Sequence, residues 1–112
     1  MTKVEAIVQP DQLDAVKKVL VDLGIEGMTI SQVHGRGHQD GPLGSYRGHE
    51  YRIDLLPSIK FEVVLTDDMV DAAVDAIVET AATGRYNDGK IFLSKVDDIV
   101  RIRNRQRGVA AL

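Results

Sequence analysis

His34-Gly-Arg-Gly-His-Gln-Asp-Gly-Pro-Leu-Gly-Ser-Tyr-Arg-Gly-His-Glu-Tyr-Arg52 divides the chain, and the patterns on either side of it decide the fold. With five glycines and a proline, the stretch predicts neither a helix nor an inner strand. Compact domains seldom keep so long an insertion unless it binds something, the plain alternative being a flexible hairpin tip. Tyr46, Arg47, His49, Glu50, Tyr51 and Arg52 gather at its far end, where a linker would carry Gly and Ser. That is the composition of a recognition loop.

Upstream, residues 3–9 put Val4, Ala6 and Val8 on one face of a strand, with Ile7 on the other. Pro10-Asp11 stops it, and Asp11 is the expected N-cap of a helix. Leu13, Val16, Val19, Leu20 and Leu23 recur at helical spacing, Asp14, Lys17, Lys18 and Asp22 oppose them, and Gly24 stands at the C-terminal cap. A second strand at about 27–33 feeds the loop.

Downstream, strand pattern resumes near Tyr51-Arg-Ile-Asp-Leu-Leu56, a turn is expected at Pro57-Ser58, and Ile59–Leu65 alternates again. Thr66-Asp67-Asp68 reads as a helix cap, and Val70, Ala73, Val74, Ile77, Val78 and Ala81 as a buried stripe ended by Thr83-Gly84. Asn87-Asp88-Gly89-Lys90 is a turn, Ile91–Ser94 a short strand, and Asp97-Asp98 the cap of a helical turn. The order is strand-helix-strand, loop, strand-helix-strand. This predicts an α+β, ferredoxin-like double βαβ sandwich with the loop at the tip of a hairpin, without a strong internal sequence repeat.

At 112 residues the chain suits one domain. Fourteen Lys and Arg against 17 Asp and Glu give a net charge of -3, the wrong sign for a general polyanion binder. The strands also lack the aromatic platform of an RNA-binding ferredoxin-like domain, so no nucleic-acid partner is expected. Cysteine is absent, which removes disulfides, thiol nucleophiles and cysteine-metal sites. Lys3 and Glu5 interrupt the first apolar run, and no stretch has the length of a membrane span. A cytoplasmic protein, not integral to a membrane, is expected.

Two constellations suggest anion binding. Gly35-Arg-Gly37 follows a strand, but no helix follows it, so neither a dinucleotide fingerprint nor a P-loop applies; the glycines equally suit a chain bending out of a sheet. Asn87-Asp88-Gly89-Lys90 lets backbone N–H groups approach an anion and adds a cation. If Arg101 and Arg103 lie in a strand, they share a face and suit two phosphates of one ligand. The competing reading is a solvated, salt-bridged end. His34, His38 and His49 have no Cys partners and no helical spacing, which argues against zinc. Ser45, Ser58 and Ser94 sit in no nucleophile elbow, so a catalytic site is not expected.

Gly27-Met-Thr29, Gly35-x-Gly37-x-Gln39, Tyr46-Arg-Gly-x-Glu-Tyr51, Leu56-Pro57, Thr83-Gly84, Asp88-Gly-Lys-Ile-Phe92 and Arg101-Ile-Arg103 together resemble the PII signal-transduction proteins, in order and over essentially the whole chain. The resemblance implies one PII-type unit over 1–112, with a T-loop at about 37–55 and an arginine-rich tail at about 101–112. It implies a homotrimer that binds ATP or ADP between neighbouring subunits, and a T-loop that docks on a target such as the ammonium transporter. Thr29, Gly37 and Val64 would line the nucleotide pocket, and His38, Gln39, Asn87 and Asp88 would also bind the nucleotide. Gly89 and Lys90 would meet phosphate, and Arg101 and Arg103 would complete the site across the subunit boundary. Tyr51 matches a tyrosine that some members have nucleotidylated, or it anchors the loop on a target; Gln39 matches a glutamine that helps bind magnesium and 2-oxoglutarate.

Departures from the family pattern carry information too. His38 replaces an arginine that reaches the terminal phosphate, Asp40 a frequent lysine, and Asn87 a glycine. Ser58 replaces the lysine that many members pair with 2-oxoglutarate, so weak or no binding of that ligand is expected. The sequence thus reads as a non-enzymatic adenine-nucleotide sensor acting on a nitrogen-related transporter or enzyme. The alternative is a divergent PII-like regulator with another effector, tied to inorganic carbon or other transport.

Overall fold

The computed structural model describes residues 1–36 and 55–112 with their side chains and, between them, the backbone of two strands over 43–46 and 49–52. Four strands, β1 (Thr2–Val8), β2 (Thr29–Gly35), β5 (Leu56–Leu65) and β6 (Gly89–Lys95), form an antiparallel sheet in the order β2-β5-β1-β6. Helices α1 (Leu13–Asp22) and α2 (Val70–Ala81) each connect one strand of this sheet to another. Both helices pack on the same sheet face, which is the ferredoxin-like arrangement expected from the sequence. Among the described residues no helix is long and apolar enough to cross a membrane.

The strand alternation sorts the core. Val4, Ala6 and Val8 of β1 and Ile59, Phe61, Val63 and Leu65 of β5 are buried beneath the helices. From above, Val16 and Leu20 of α1 and Ala73 and Ile77 of α2 join the same core, so the helical spacing in both segments falls on the buried face. Val78 departs from the expected stripe and is 48% exposed.

The expected caps are not used. Pro10–Gln12 and Asp67–Met69 are short 3-10 turns that lead into the two helices, and neither has a side-chain cap. Asp67 instead accepts a hydrogen bond from the Thr2 hydroxyl at 2.7 Å, tying the start of β1 to the entrance of α2. That bond is the main reason its carboxyl lies below the usual range. Gly24, at φ +86, does follow the end of α1 as a C-terminal glycine should.

Pro57-Ser58 is not a turn. β5 runs unbroken through both residues, with Ser58 opposite Val33 and Pro57 opposite His34. Proline is tolerated there because β1 ends its pairing at Val8 opposite Ile59, so at Pro57 only β2 lies alongside. Within the dividing stretch, β2 of the main sheet reaches as far as Gly35, and β3 (Leu43–Tyr46) and β4 (His49–Arg52) pair with each other as a separate two-stranded sheet. The remaining T-loop expectations fall on residues outside those described.

Candidate functional site

Among the described residues, no helix lies on the opposite face of the main sheet. Lys3, Glu5 and Ile7 of β1, Ser58, Lys60, Glu62 and Val64 of β5, and Lys90 and Phe92 of β6 share it by register. Glu5 and Glu62 stand directly opposite each other, a like-charge pairing that is unfavourable alone. Lys60 resolves it by reaching both carboxylates, at 3.3 Å and 3.4 Å, while Lys3 reaches Glu62 at 3.2 Å. Hydrogen bonding to Glu5 raises the Lys60 ammonium, and hydrogen bonding from Lys3 lowers the Glu62 carboxyl.

The edge strand β6 begins at the expected anion-type turn. Gly89 has φ +123, and a Cβ there would come within 1.8 Å of the Ile7 carbonyl oxygen, so no other residue fits this contact. The close approach brings Lys90 opposite Ile7 on the open face, where it is exposed. The Asp88 carboxylate faces back into its own loop. It accepts hydrogen bonds from the Thr83 N–H at 2.6 Å, the Gly84 N–H at 2.9 Å and the Thr83 hydroxyl. The hydroxyl bond is the largest cause holding the Asp88 carboxyl below the usual range. Gln9, just after β1, donates its side-chain amide to the Asn87 carbonyl. Beneath this loop lies an apolar hollow of about 300 Å³, walled by Ile7, Val74, Ile77, Val78 and Ile91, which the sequence reading did not find.

Thr29 and Val64 do not join this cluster within one chain. Lys90 lies on one edge strand and Thr29 on the other, three strand steps away, or about 14 Å at roughly 4.8 Å per step. Val64 pairs with Lys3, at the end of β1 far from Ile7. Within one chain the residues expected at a nucleotide therefore fall into separate groups, Gly89 and Lys90 at one edge of the sheet and Thr29 at the other.

The tail corrects another expectation. Residues 102–104 form a turn, not a strand, so Arg101 and Arg103 do not share a strand face. Arg101 is partly buried in its own tail, donating to Gln106 Oε1 at 2.8 Å and to the carbonyls of Ala110 and Leu112 at 3.1 Å and 3.3 Å. Arg103 is exposed. Asp98 caps no helix. It closes the tail loop by accepting from Arg107 at 2.6 Å, Ile99 N–H at 2.8 Å and Gly108 N–H at 3.1 Å, and the Arg107 bond is the first cause of its lowered carboxyl. No signal in the sequence separates an arginine that closes a loop from one that waits for a ligand.

Gly37, His38, Gln39 and Asp40 lie outside the described residues, as do the side chains of His49 and Tyr51. His34 is an exposed residue of β2, and among the described residues no group of three His, Cys, Asp or Glu could hold a metal. Gly35 ends β2 opposite Leu56, in open space on the side where a Cβ would stand.

A family profile described as "Nitrogen regulatory protein P-II" matches residues 1–106. The chain is 47% identical to "Nitrogen regulatory protein P-II" of Klebsiella oxytoca over 112 residues, covering all of both chains. It is 49% identical to "Nitrogen regulatory protein P-II 2" of Methanothermobacter thermautotrophicus, covering all of this chain and 97% of that one. It is 46% identical to "Nitrogen regulatory protein P-II 1" of Escherichia coli, again covering all of both. With the ferredoxin-like sheet, the glycine-dependent turn at Gly89 and a match over nearly the full length, the chain belongs to the PII family of nitrogen regulatory proteins.

Proposed function

We propose that this chain is a non-enzymatic, cytoplasmic regulator that binds ATP or ADP as a homotrimer and controls a nitrogen-related transporter or enzyme through its T-loop. The observation that carries the reading is the division of the expected nucleotide residues into two half-sites. Lys90 and Gly89 stand at one edge of the open sheet face, and Thr29 stands at the other. A second copy, packed with its open face inward, supplies the missing half, and cyclic closure is the common way to satisfy such an interface. The exposed Phe92, on the same face as the paired charges, gives that contact an apolar component.

In this reading the Gly89 turn and Lys90 take phosphate, Thr29 and Val64 line the nucleotide pocket of the neighbouring subunit, and Arg103 completes the phosphate site. Arg101 contributes by shaping the tail or by exchanging its tail bonds for the ligand. Gln39 assists a magnesium ion carried by ATP. Nucleotide acts by favouring one T-loop arrangement, since only differential affinity shifts a population.

The departure at Ser58 favours a second form of the reading, in which another effector replaces 2-oxoglutarate. Lys60 is no substitute cation, because it is held between Glu5 and Glu62. Calorimetric titration with ADP and Mg-ATP, together with mass by light scattering at micromolar concentration, tests the proposal. Trimer mass and binding weakened roughly tenfold by Lys90→Ala are expected. A monomer, or unchanged affinity in Lys90→Ala, overturns it.

A further inference from the structure

We propose that Gln9 and Asp88 are positioning residues, which hold the loop after α2 so that the Gly89 turn and Lys90 present their donors to an anion while neither residue touches it. The inference rests on the nucleotide reading above and assigns the part of the site that the ligand does not contact.

Three independent contacts fix the loop. Gly89 abuts the Ile7 carbonyl, closer than any side chain would allow. Gln9 holds the Asn87 carbonyl from the end of β1. Asp88 gathers the Thr83 N–H, the Thr83 hydroxyl and the Gly84 N–H, so the chain leaving α2 folds back on the chain entering β6. Gly84, at φ +85, supplies the reversal that brings these donors onto one carboxylate. The loop then enters β6 in a single register, with Val8 opposite Gly89 and Ile7 opposite Lys90.

The chemistry of Asp88 separates positioning from ligation. A carboxylate only accepts hydrogen bonds, and this one already accepts three from its own loop. It has nothing to donate to a phosphate, and its charge opposes one. An aspartate beside an anion site is therefore useful only through the geometry that it imposes. Asparagine in its place keeps the shape, but its one oxygen must take the Thr83 and Gly84 N–H groups as a neutral acceptor and the Thr83 hydroxyl must turn to accept from its NH2, so the charge-assisted bonds that hold the loop are lost. The two roles thus predict opposite signs for Asp88→Asn. Simple electrostatics predicts tighter anion binding once the negative charge is removed. Positioning predicts weaker binding.

The test is calorimetric titration of ADP into the full-length unmodified protein, Asp88→Asn, Gln9→Met, Thr83→Val and Thr83→Ser. Amide hydrogen exchange at Gly84 and Lys90 is followed in the same proteins. Asp88→Asn is expected to weaken ADP binding about tenfold, Thr83→Val and Gln9→Met about threefold each, and Thr83→Ser to restore most of the loss. Lys90→Ala made in the Asp88→Asn background is expected to cost less than in the unmodified protein, because a displaced lysine has little left to lose. Equal or tighter ADP binding by Asp88→Asn overturns the inference, as does full additivity with Lys90→Ala. If the unmodified protein binds neither ADP nor ATP, the nucleotide reading falls. The positioning role is then judged by exchange alone: faster exchange at Gly84 and Lys90 in Asp88→Asn supports it, and unchanged exchange overturns it.

Discussion

On β5, alternate residues serve two surfaces with different physics. Ile59, Phe61, Val63 and Leu65 are buried under the helices, while Ser58, Lys60 and Glu62 stand half-exposed on the open face. The packed face is held by apolar burial, which is non-directional and tolerates any well-fitting hydrocarbon. The open face is held by partnership: Glu5 and Glu62 coexist only because Lys3 and Lys60 reach them. Their side chains remain 28% to 38% exposed, so solvent screens each pair and little stability comes from them. One face makes the fold, and the other carries charges that are matched without being buried.

The largest break in that comparison is Phe61→Ala. Phe61 is 1% exposed, and its truncation is expected to cost about 3–5 kcal/mol, read as a lower urea midpoint. A loss below about 1 kcal/mol would mean that the helix-covered face does not carry the stability. Lys60→Met comes next and acts on the other face. It leaves Glu5 and Glu62 opposed without their shared cation, so the chain should stay folded but associate less, read as falling mass on dilution. Unchanged mass would detach the charge network from assembly.

Ser58→Lys has a smaller effect. On the open face beyond the end of β1, an added lysine is expected to improve 2-oxoglutarate binding in saturating Mg-ATP by roughly tenfold. Micromolar binding by the unmodified protein would remove the argument from Ser58. The smallest effect is on pH dependence. Glu62, Asp67, Asp88 and Asp98 all titrate below their ordinary values of 4.5 and 3.8. Their stabilisation is fully present above those values and lost as pH falls through the lowered ones. The melting midpoint should therefore hold from neutral pH to about pH 5 and decline below about pH 4. A decline that begins near neutrality would assign the acid sensitivity to other groups.

Much of the fold was legible because alternation and helical spacing are local signals. Val4, Ala6 and Val8 on one side and Val16 and Leu20 on the other announce which surfaces must meet. Where local signals mislead, the cause is shared. Asp11, Asp67 and Asp98 look like caps from their immediate neighbours, but Asp67 serves Thr2 and Asp98 serves Arg107 and Gly108, all distant in sequence or reached by a returning tail. Pro57 suggests a turn because proline removes a donor. It is harmless where β1 has already ended. At the site, Gly89 and Lys90 were found from turn chemistry, whereas Gln9, nearly eighty residues away, carried no local sign of its tether to Asn87.

By itself the sequence determined the class of the fold, the two amphipathic helices, the face of each strand that enters the core, and the likeness to the PII family, since these follow from periodicity and motif order. Only the tertiary structure decided which charges neutralise one another across β1 and β5, that Arg101 turns into its own tail, and that Gly89 must be glycine because Ile7 lies against it. The physical reason is range. A burial preference belongs to each side chain and is repeated along the chain, whereas a hydrogen bond or a steric contact belongs to a pair, and the pair exists only once the strands are in register.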